Sequence, residues 1–366
     1  MARSVSTLQT LNPPREGPSR GRGGLSNASG RFEPLTRHLF DDGWTPDEPP
    51  PLRTEVTTET AKRIITSNDS PDIPFDQSIN PYRGCEHGCV YCYARPTHAY
   101  MGLSPGRDFE TKLFAKPNAA ELLRKELAAP SYVPSAIALG TNTDPYQPIE
   151  KRLKITRSII EVLAEHRHPF SIVTKSHLVT RDIDLLASLA RSNLVKVFLS
   201  VTSLNPRLAR AMEPRAATPA LRLAAIRQLA EAGIPTGVMV APVIPALNDA
   251  EIEAILEAAK DAGAGQAGYV MLRLPLEIKH LFREWLDEVA PYRADHVMRL
   301  VRDVRGGRDY DPTFGRRMRG TGPYAKMIAV RFKQATARLG LNRGTAHLDV
   351  GQFRRPPRAG DQLALL

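Results

Sequence analysis

Short apolar segments alternate with segments of helical periodicity over most of this chain of 366 residues. Six of the apolar segments have the character of strands, at residues 78–80, 135–140, 170–174, 195–201, 236–241 and 269–272. Helices are predicted between and after them, at residues 91–101, 117–127, 155–166, 181–191, 218–232 and 249–262. Strand–helix units repeated at this pace predict an α/β fold with a parallel sheet and right-handed crossovers.

The two ends of the chain differ from this middle in composition. Residues 1–50 are rich in Pro, Gly, Ser and Arg without periodicity, which predicts a flexible basic arm. Residues 51–275 form the predicted core, which begins with an edge hairpin or a short strand at residues 53–66. Residues 276–340 have helical patterns and predict a C-terminal helical extension. Residues 341–366 are again rich in Pro and Arg, which predicts a flexible tail.

The positive charge of the chain is concentrated at its ends. The net charge of +11 divides into +4 in residues 1–31, +10 in residues 291–366 and −3 between them. Basic ends favour a polyanionic partner, first of all nucleic acid, and fit a merely soluble cationic surface equally well. The N-terminus lacks the apolar core of a signal peptide, and no run approaches the roughly 20 apolar residues of a spanning helix. We therefore expect a cytoplasmic protein without a membrane partner.

All three cysteines of the chain, Cys85, Cys89 and Cys92, lie in one short segment. An odd number of cysteines without a secretion signal argues against a disulfide framework. Three thiolates in one loop can bind one soft metal centre, and an iron–sulfur cube, which normally takes four cysteines, would keep one iron open to a small molecule. The alternative is a structural zinc site of three cysteines and one histidine, His87 or His98, in a non-catalytic nucleic-acid-binding protein.

The spacing Cys-x-x-x-Cys-x-x-Cys resembles the signature of the radical S-adenosylmethionine (radical SAM) superfamily. The resemblance implies a [4Fe–4S] cluster on Cys85, Cys89 and Cys92, whose open iron is chelated by the amino and carboxylate groups of S-adenosylmethionine. It implies an enzyme that cleaves this cofactor reductively to a 5′-deoxyadenosyl radical, with an electron donor such as flavodoxin or ferredoxin. The implied fold over about residues 75–275 is a partial (β/α)6 TIM-like barrel, in which Tyr91 is expected near the adenine.

Polar residues follow the second and third predicted strands, at the ends where parallel α/β folds place their functional groups. In the superfamily, the tip of the second strand offers acceptors to the amino group of S-adenosylmethionine, often through a Gly-Gly-Glu motif. This chain has Gly-Thr-Asn-Thr-Asp-Pro there, so Thr143 or Asp144 is expected to substitute, and an Asx-type turn at Asp144 is the alternative. Lys175, after the third strand, is expected to pair with a carboxylate in the site, unless it is a solvated surface lysine.

Hydroxyl and arginine side chains follow the later strands. Ser200 and Thr202 lie on one face at the end of the fourth strand, where they are expected to meet a ribose; core hydroxyls bonded to the backbone are the alternative. Arg215 is expected to bind the methionine carboxylate bidentately, with an ion pair at a helix boundary as the alternative. Arg273, after the sixth strand, is expected at the mouth of the barrel facing substrate.

A basic, glycine-broken loop at residues 305–320 includes Tyr310 and Phe314. Cations beside aromatic rings suit a phosphate backbone with a stacked base. They suit equally a loop that closes the open side of the barrel.

Within the superfamily, four segments resemble the group related to spore photoproduct lyase, often described as DNA repair photolyase-like. They read Asn-Pro-Tyr-Arg-Gly-Cys, Tyr-Cys-Tyr-Ala-Arg, Thr-Asn-Thr-Asp-Pro-Tyr-Gln and Val-Thr-Lys-Ser. The resemblance implies a DNA lesion as the substrate and hydrogen abstraction from a thymine dimer. That lyase uses a fourth cysteine to return a hydrogen atom, and this chain has only three. A tyrosine would have to take that role, or the reaction is a different one.

Overall fold

The computed structural model describes residues 21–34, 52–344 and 347–356. Its strands are β1 (Glu55–Thr58), β2 (Ile65–Ser67), β3 (Gln77–Ile79), β4 (Tyr82–Arg83), β5 (Lys112–Ala115), β6 (Ile137–Leu139), β7 (Phe170–Thr174), β8 (Val195–Ser200), β9 (Thr236–Val243) and β10 (Gln266–Met271). Its α-helices are α1 (Asp108–Thr111), α2 (Ala119–Ala128), α3 (Glu150–Leu153), α4 (Ile155–Glu165), α5 (Ile183–Ala190), α6 (Pro206–Met212), α7 (Pro219–Glu231), α8 (Ile252–Asp261), α9 (Ile278–Val289), α10 (Pro291–Asp303) and α11 (Gly322–Arg338). Four 3₁₀ helices cover Arg95–Met101, His177–Asp182, Asp249–Glu251 and Val350–Gln352.

Seven strands form the main sheet, in the order β10-β9-β8-β7-β6-β3-β2. Six of them, β3 and β6 to β10, pair in parallel, and β2 is antiparallel to β3 at one edge. These six are the predicted strands, and β7 has the predicted bounds. The α/β class with a parallel sheet is confirmed. Among the described strands none joins β10 to β2, so the sheet is open on one side, as in a partial barrel.

Two local predictions are wrong. In residues 53–66, β1 pairs in parallel with β5 and β2 pairs with β3, so the two strands belong to different sheets instead of forming a hairpin. Each of them finds its partner further along the chain, which a local pattern does not show. The predicted first helix is a 3₁₀ helix over Arg95–Met101, with Pro96 in its first turn and hydrogen bonds of three-residue spacing.

The core lies between the main sheet and the helices that cover it. In β8, the side chains of Val195, Val197 and Leu199 are fully buried, and each contributes about 1.5–3 kcal/mol to folding. Helix α7 begins after Thr218, whose side chain accepts a hydrogen bond from the backbone N–H three residues later. It ends before Gly233, which has a φ of 75° and the predicted role of a C-terminal cap. This packing fixes the carboxyl ends of the strands at one edge of the sheet.

Three helices, α9, α10 and α11, follow the last strand, as the helical patterns predicted. Trp285 of α9 is buried in an apolar cluster that includes Val90 and Met212. The extension therefore packs against the segment that carries the cysteines. In the described parts of the chain, no helix combines the length and the apolar character needed to cross a bilayer.

Described parts of both ends of the chain pack on the barrel. In the C-terminal part, Asp349 N donates to Asn193 O at 3.0 Å and Arg354 N donates to His166 O at 2.8 Å. In the N-terminal part, Arg22 is buried. Gly23 N and Gly24 N donate to the Glu110 carboxylate of α1. Composition does not reveal these contacts, and the flexibility of the arm and tail stays a prediction. The remainder of the arm and tail predictions, at residues 1–20, 35–51, 345–346 and 357–366, lies outside the described residues.

Candidate metal and cofactor site

The three cysteines lie in a loop, residues 84–93, which follows β4 and which we call the cysteine loop. Cys85 and Cys89 are buried, Cys92 is half-buried, and all three thiols are free. Gly88 has a φ of 69°, and a Cβ atom on it would lie 2.7 Å from Glu110 Oε2. Because only glycine combines that backbone conformation with that contact, the loop can turn tightly between its first two cysteines.

The thiols form a soft donor set in a buried place. Burial raises the pKa of Cys85 well above its usual range, and it raises the pKa of Cys89 to about 12 against the opposing charge of Lys175. Such thiols become ligands when a strongly cationic centre displaces their protons. Three sulfur donors in one loop match the ligands of an iron–sulfur cluster. The chain has no further cysteine, so a cube bound here would have one iron without a protein thiolate.

The two histidines of the zinc alternative have other neighbours. His87 Nδ1 lies 3.3 Å from Asp144 Oδ2, and His98 Nε2 lies 2.9 Å from Lys112 O. Burial lowers the pKa of His98 to about 4. Within the described ranges, no three His, Cys, Asp or Glu side chains converge as a single metal ion requires. Zinc–sulfur bonds would bring the sulfurs to about 3.8 Å from each other, whereas a multi-iron cluster binds each thiolate at a different iron.

A fully buried carboxylate, that of Glu213, lies beside the cysteine loop. It accepts hydrogen bonds from the Tyr91 hydroxyl and, at 2.6 Å, from Thr202 Oγ1, and it forms an ion pair with Arg222. Burial alone would raise the pKa of Glu213, but Arg222 and Lys175 outweigh burial and lower it below its ordinary value. The carboxylate is therefore ionised, and it fixes the tyrosine ring next to the last cysteine.

Lys175, at the end of β7, is brought to the same place. Its Nζ lies 5.8 Å from the centroid of the Tyr91 ring and makes no hydrogen bond within the residues that the structure describes. Burial lowers the pKa of Lys175, but Cys89 and Glu213 raise it by more, so that the net shift is upward. The result is a charged donor beside the cysteine loop that can bind a carboxylate.

Asp144 and Thr143 form a turn at the end of β6. Asp144 Oδ1 accepts a hydrogen bond at 2.9 Å from the backbone N–H two residues later, and Oδ2 accepts one at 2.8 Å from the end of β7. Thr143 Oγ1 donates to Tyr82 O at 3.0 Å. Burial would raise the pKa of Asp144, but His87 and the hydrogen bonds lower it to about 2. This is the Asx-type turn that the sequence left open, and both side chains find their partners inside the protein.

Ser200 adjoins the residues around Glu213, whereas Arg215 pairs with a different carboxylate. The carbonyl of Ser200 accepts a hydrogen bond at 3.0 Å from Arg222 Nη1, so Ser200 adjoins the Glu213 carboxylate. Arg215 Nη2 lies 3.2 Å from Glu86 Oε1 in the cysteine loop, and the role of Arg215 toward a cofactor stays a prediction. The structure thus groups Tyr91, Lys175, Ser200 and Thr202 around Glu213, and it pairs Arg215 separately.

A loop spans the side of the barrel between its two edge strands. We call residues 305–321 the closing loop. Met271 N of β10 donates to Met318 O at 2.9 Å, and Gly315 N donates at 2.6 Å to Asp72 Oδ1, in the segment that connects β2 and β3. The buried Arg305 donates to Arg317 O at 2.8 Å. These contacts match the prediction that the basic loop closes the open side of the barrel.

Arg273 follows β10 and lies between two aromatic rings. Its guanidinium carbon is 4.9 Å from the centroid of the Tyr93 ring, and its Nη2 is 3.3 Å from the Tyr310 hydroxyl. Its Nε is buried without a hydrogen-bond partner in the described chain. A planar cation therefore links the cysteine loop to the closing loop. The site also includes Glu213, Arg222 and Tyr93. The sequence predicted roles only for neighbours of these residues, because their own roles depend on contacts between distant segments.

Sequence comparison finds a family and several relatives. The family model of the radical SAM superfamily matches residues 79–259. An uncharacterized protein of Mycobacterium tuberculosis (strain H37Rv) is 40% identical over 232 residues, which are 63% of this chain and 68% of the relative. An uncharacterized protein of Methanocaldococcus jannaschii is 30% identical over 197 residues, which are 54% of this chain and 71% of the relative.

Solved structures of spore photoproduct lyase share the fold. A mutant with bound AdoMet and dinucleoside spore photoproduct has a TM-score of 0.56 at 15% identity, covering 78% of this chain and 80% of that chain. The lyase complexed with dinucleoside spore photoproduct has the same TM-score of 0.56 at 15% identity over the same shares. The family match includes the cysteine loop and most of the parallel strands. The chain belongs to the radical SAM superfamily, and it is an enzyme of that superfamily.

Proposed function

We propose that this enzyme binds a [4Fe–4S] cluster through Cys85, Cys89 and Cys92 and cleaves S-adenosylmethionine reductively. The observation that carries the proposal is the set of three free thiols in one tight loop, after the first strand of the parallel sheet. When bound, the cluster and S-adenosylmethionine supply the 5′-deoxyadenosyl radical that begins the reaction. The electron donor would be a low-potential carrier such as flavodoxin or ferredoxin, in the reducing cytoplasm.

The residues around Glu213 would bind and orient the cofactor. Tyr91 presents a ring that Glu213 fixes through the hydroxyl, and this ring would pack on the adenine. Lys175 would bind the carboxylate of the methionine moiety, because its Nζ lies 5.8 Å from the centroid of the Tyr91 ring and makes no hydrogen bond to the described residues. Ser200 and Thr202 would form the wall next to the ribose.

Three further candidates have protein partners that limit their role. Thr143 donates to Tyr82 O, and Asp144 accepts from its own turn and from the end of β7, so they would shape the pocket where the amino group lies. The positive charge of Arg215 is already partly balanced by Glu86, which lies 3.2 Å from its Nη2. We therefore place Lys175 ahead of Arg215 as the carboxylate-binding residue.

The substrate that the mouth of the barrel suits best is a nucleic acid. A stacked base could replace part of the contact between Arg273 and the rings of Tyr93 and Tyr310, and phosphates could bind to the arginines of the closing loop. The charge of +10 in residues 291–366 supports the same class of partner. The test is binding to single-stranded DNA, RNA and heparin over a salt series. We expect the native protein to prefer one of the two nucleic acids, and we expect Arg273→Ala to abolish that preference. Equal binding to DNA, RNA and heparin would contradict the assignment.

Cofactor cleavage is tested by anaerobic reconstitution with iron and sulfide, followed by dithionite and S-adenosylmethionine. We expect 5′-deoxyadenosine from the native chain and none above background from Cys89→Ala. Ser188→Ala is the matched control, because Ser188 lies on the outer helix α5 and its side chain donates to Leu185 O. Equal product from Cys89→Ala and the native protein would refute the proposal.

A further inference from the structure

Residues 22–31, which we call the strap, run along the outside of the cysteine loop. A Cβ atom on Gly23 would lie 1.8 Å from Gly88 O, so the two backbones are in direct contact. Arg22 in the strap is buried, and its Nη1 donates to Glu110 O at 2.9 Å. The strap therefore covers part of the loop between the first two cysteines, next to the segment after α6, where Arg215 N donates to His87 O at 3.2 Å.

A buried carboxylate joins the strap to the loop. The side chain of Glu110 is fully buried and accepts hydrogen bonds from Gly23 N at 2.9 Å and Gly24 N at 2.8 Å. It also forms an ion pair with the fully buried guanidinium of Arg95. A carboxylate in this position is stabilised only while its charge partner and its N–H donors stay in place.

The guanidinium of Arg95 fixes the backbone of the cysteine loop. Its Nε donates to Cys89 O at 2.9 Å and its Nη2 to Gly88 O at 3.1 Å, while Nη1 donates to Gly106 O at 2.7 Å. With further bonds to Pro105 O and Glu110, all five N–H groups of an arginine have acceptors. A change in the strap is thus transmitted through two buried side chains to the carbonyls around Cys89.

The strap is also attached at its other end. Ser26 Oγ donates to Glu284 Oε2 at 2.7 Å, and Arg31 Nε lies 2.7 Å from Glu277 Oε1. Glu284 belongs to α9 and Glu277 precedes it, so the strap also contacts the helical extension. The contacts occur along most of its length, which distinguishes the strap from a segment that touches the barrel at one point.

We propose that the strap is part of the cluster site, where Glu110 and Arg95 act as positioning residues. They hold the cysteine loop in the conformation that binds the cluster, and the strap shields the loop's outer face from solvent and from iron chelators. The proposal rests on the cluster proposed above for its role in shielding. The mechanical coupling of strap and loop does not depend on the cluster.

Hydrogen exchange in the full-length apoprotein tests the coupling. Gly23→Asn places a side chain where Gly88 O lies, whereas Gly21→Asn introduces the same residue where a Cβ atom meets nothing within 4 Å. Asparagine also tolerates the φ of 73° at Gly21. We expect Gly23→Asn to speed exchange by about tenfold in peptides from both the strap and the cysteine loop, with Gly21→Asn unchanged. Faster exchange in the strap alone would overturn the coupling.

Iron release from the reconstituted protein tests the shielding. Gly23→Asn and Glu110→Gln should lose iron to a chelator about tenfold faster than the native protein and Gly21→Asn, with a similar urea midpoint in Gly23→Asn. Equal rates in all four proteins would overturn the shielding role. If the native protein retained no iron at all, the cluster assignment would fail, and the exchange experiment would still decide the coupling.

Discussion

Two buried glutamate–arginine pairs flank the cysteine loop, and they differ in what else they contact. The pair of Glu110 and Arg95 makes its other hydrogen bonds with backbone groups of the strap, the cysteine loop and the segment before α1. Glu213 accepts from the hydroxyls of Tyr91 and Thr202, although its partner Arg222 also donates to backbone carbonyls. Apart from their arginine partners, the Glu110 carboxylate thus accepts hydrogen bonds from backbone N–H groups, and the Glu213 carboxylate accepts them from side-chain hydroxyls.

The two pairs therefore have different roles, one in fixing the conformation of a loop and the other in orienting side chains that can contact a cofactor. A charge pair bonded to backbone fixes one loop conformation and offers no group to a ligand. A carboxylate bonded to a tyrosine and a threonine, with Lys175 as a charged neighbour, sets the orientation and the electrostatics of side chains that can contact a cofactor. We expect the first pair to control cluster retention and fold stability, and the second to control cofactor binding.

The largest effect is expected for Glu110→Ala, which would leave the Arg95 guanidinium buried without its charge partner. The free energy of unfolding should fall by about 3–5 kcal/mol, measured by urea denaturation, and the reconstituted protein should retain little iron. Glu165→Ala is the control, since its ion pair with Arg124 is exposed and its loss should change stability by about 0.5 kcal/mol at most. If the free energy of unfolding fell as little in Glu110→Ala as in Glu165→Ala, the Glu110–Arg95 pair would not have the structural role that we assign to it.

Glu213→Gln should have an intermediate effect on stability and a specific one on the cofactor. The amide retains an acceptor for the hydroxyls but removes the charge that Arg222 and Lys175 balance, at a cost of about 1–3 kcal/mol. Iron content should stay at the native value, while formation of 5′-deoxyadenosine falls and requires more S-adenosylmethionine. Should this variant lose iron as Glu110→Ala does, the two pairs would not differ as we describe.

A third carboxylate, that of the partly buried Asp144, extends the comparison, because its contribution to stability depends on pH. Its pKa is lowered to about 2 in the folded protein, below the ordinary value of 3.8, so its stabilising contribution is present above about pH 4 and is lost as the pH falls toward 2. Asp144→Asn should lose about 2 kcal/mol less stability between pH 5 and pH 2 than the native protein does. An unchanged pH slope in urea titrations would show that the turn does not hold an ionised aspartate.

The smallest effect is expected at the mouth of the barrel, with Tyr310→Phe. It removes the hydroxyl that Arg273 Nη2 contacts at 3.3 Å and keeps the ring, so stability should change by about 0.5–1 kcal/mol at most. Nucleic-acid binding should persist if stacking carries it, and Tyr310→Ala should weaken it. Equal nucleic-acid binding by Tyr310→Phe and Tyr310→Ala would show that the Tyr310 ring does not contribute to binding.

Much of the fold could be predicted from the sequence because it follows from local patterns. The apolar runs of β7 and β8 and the caps of α7 depend on neighbours within a few residues, and the structure places them within one or two residues of the prediction. The cysteine loop was equally visible, since three thiols in eight residues have few interpretations. The strand ends then indicated Lys175 and Thr202.

The parts that escaped prediction depend on contacts between distant segments. Glu110 receives the N–H groups of the strap from 86 and 87 positions away, and a glycine-rich segment gives no sign of that partner. Arg95 and Glu213 look like ordinary charged residues in the sequence, and only their complete burial shows their roles. The Asx turn at Asp144 was visible, but its saturation by the end of β7 was not.

The central claim is that the cysteine loop binds a cluster with one open iron. Native mass spectrometry of the anaerobically reconstituted protein, combined with electron paramagnetic resonance before and after S-adenosylmethionine, tests it most directly. We predict about four irons with sulfide per chain and a reduced-cluster signal that shifts when the cofactor binds. One zinc per chain without sulfide, or a cluster signal that the cofactor leaves unchanged, would contradict the account.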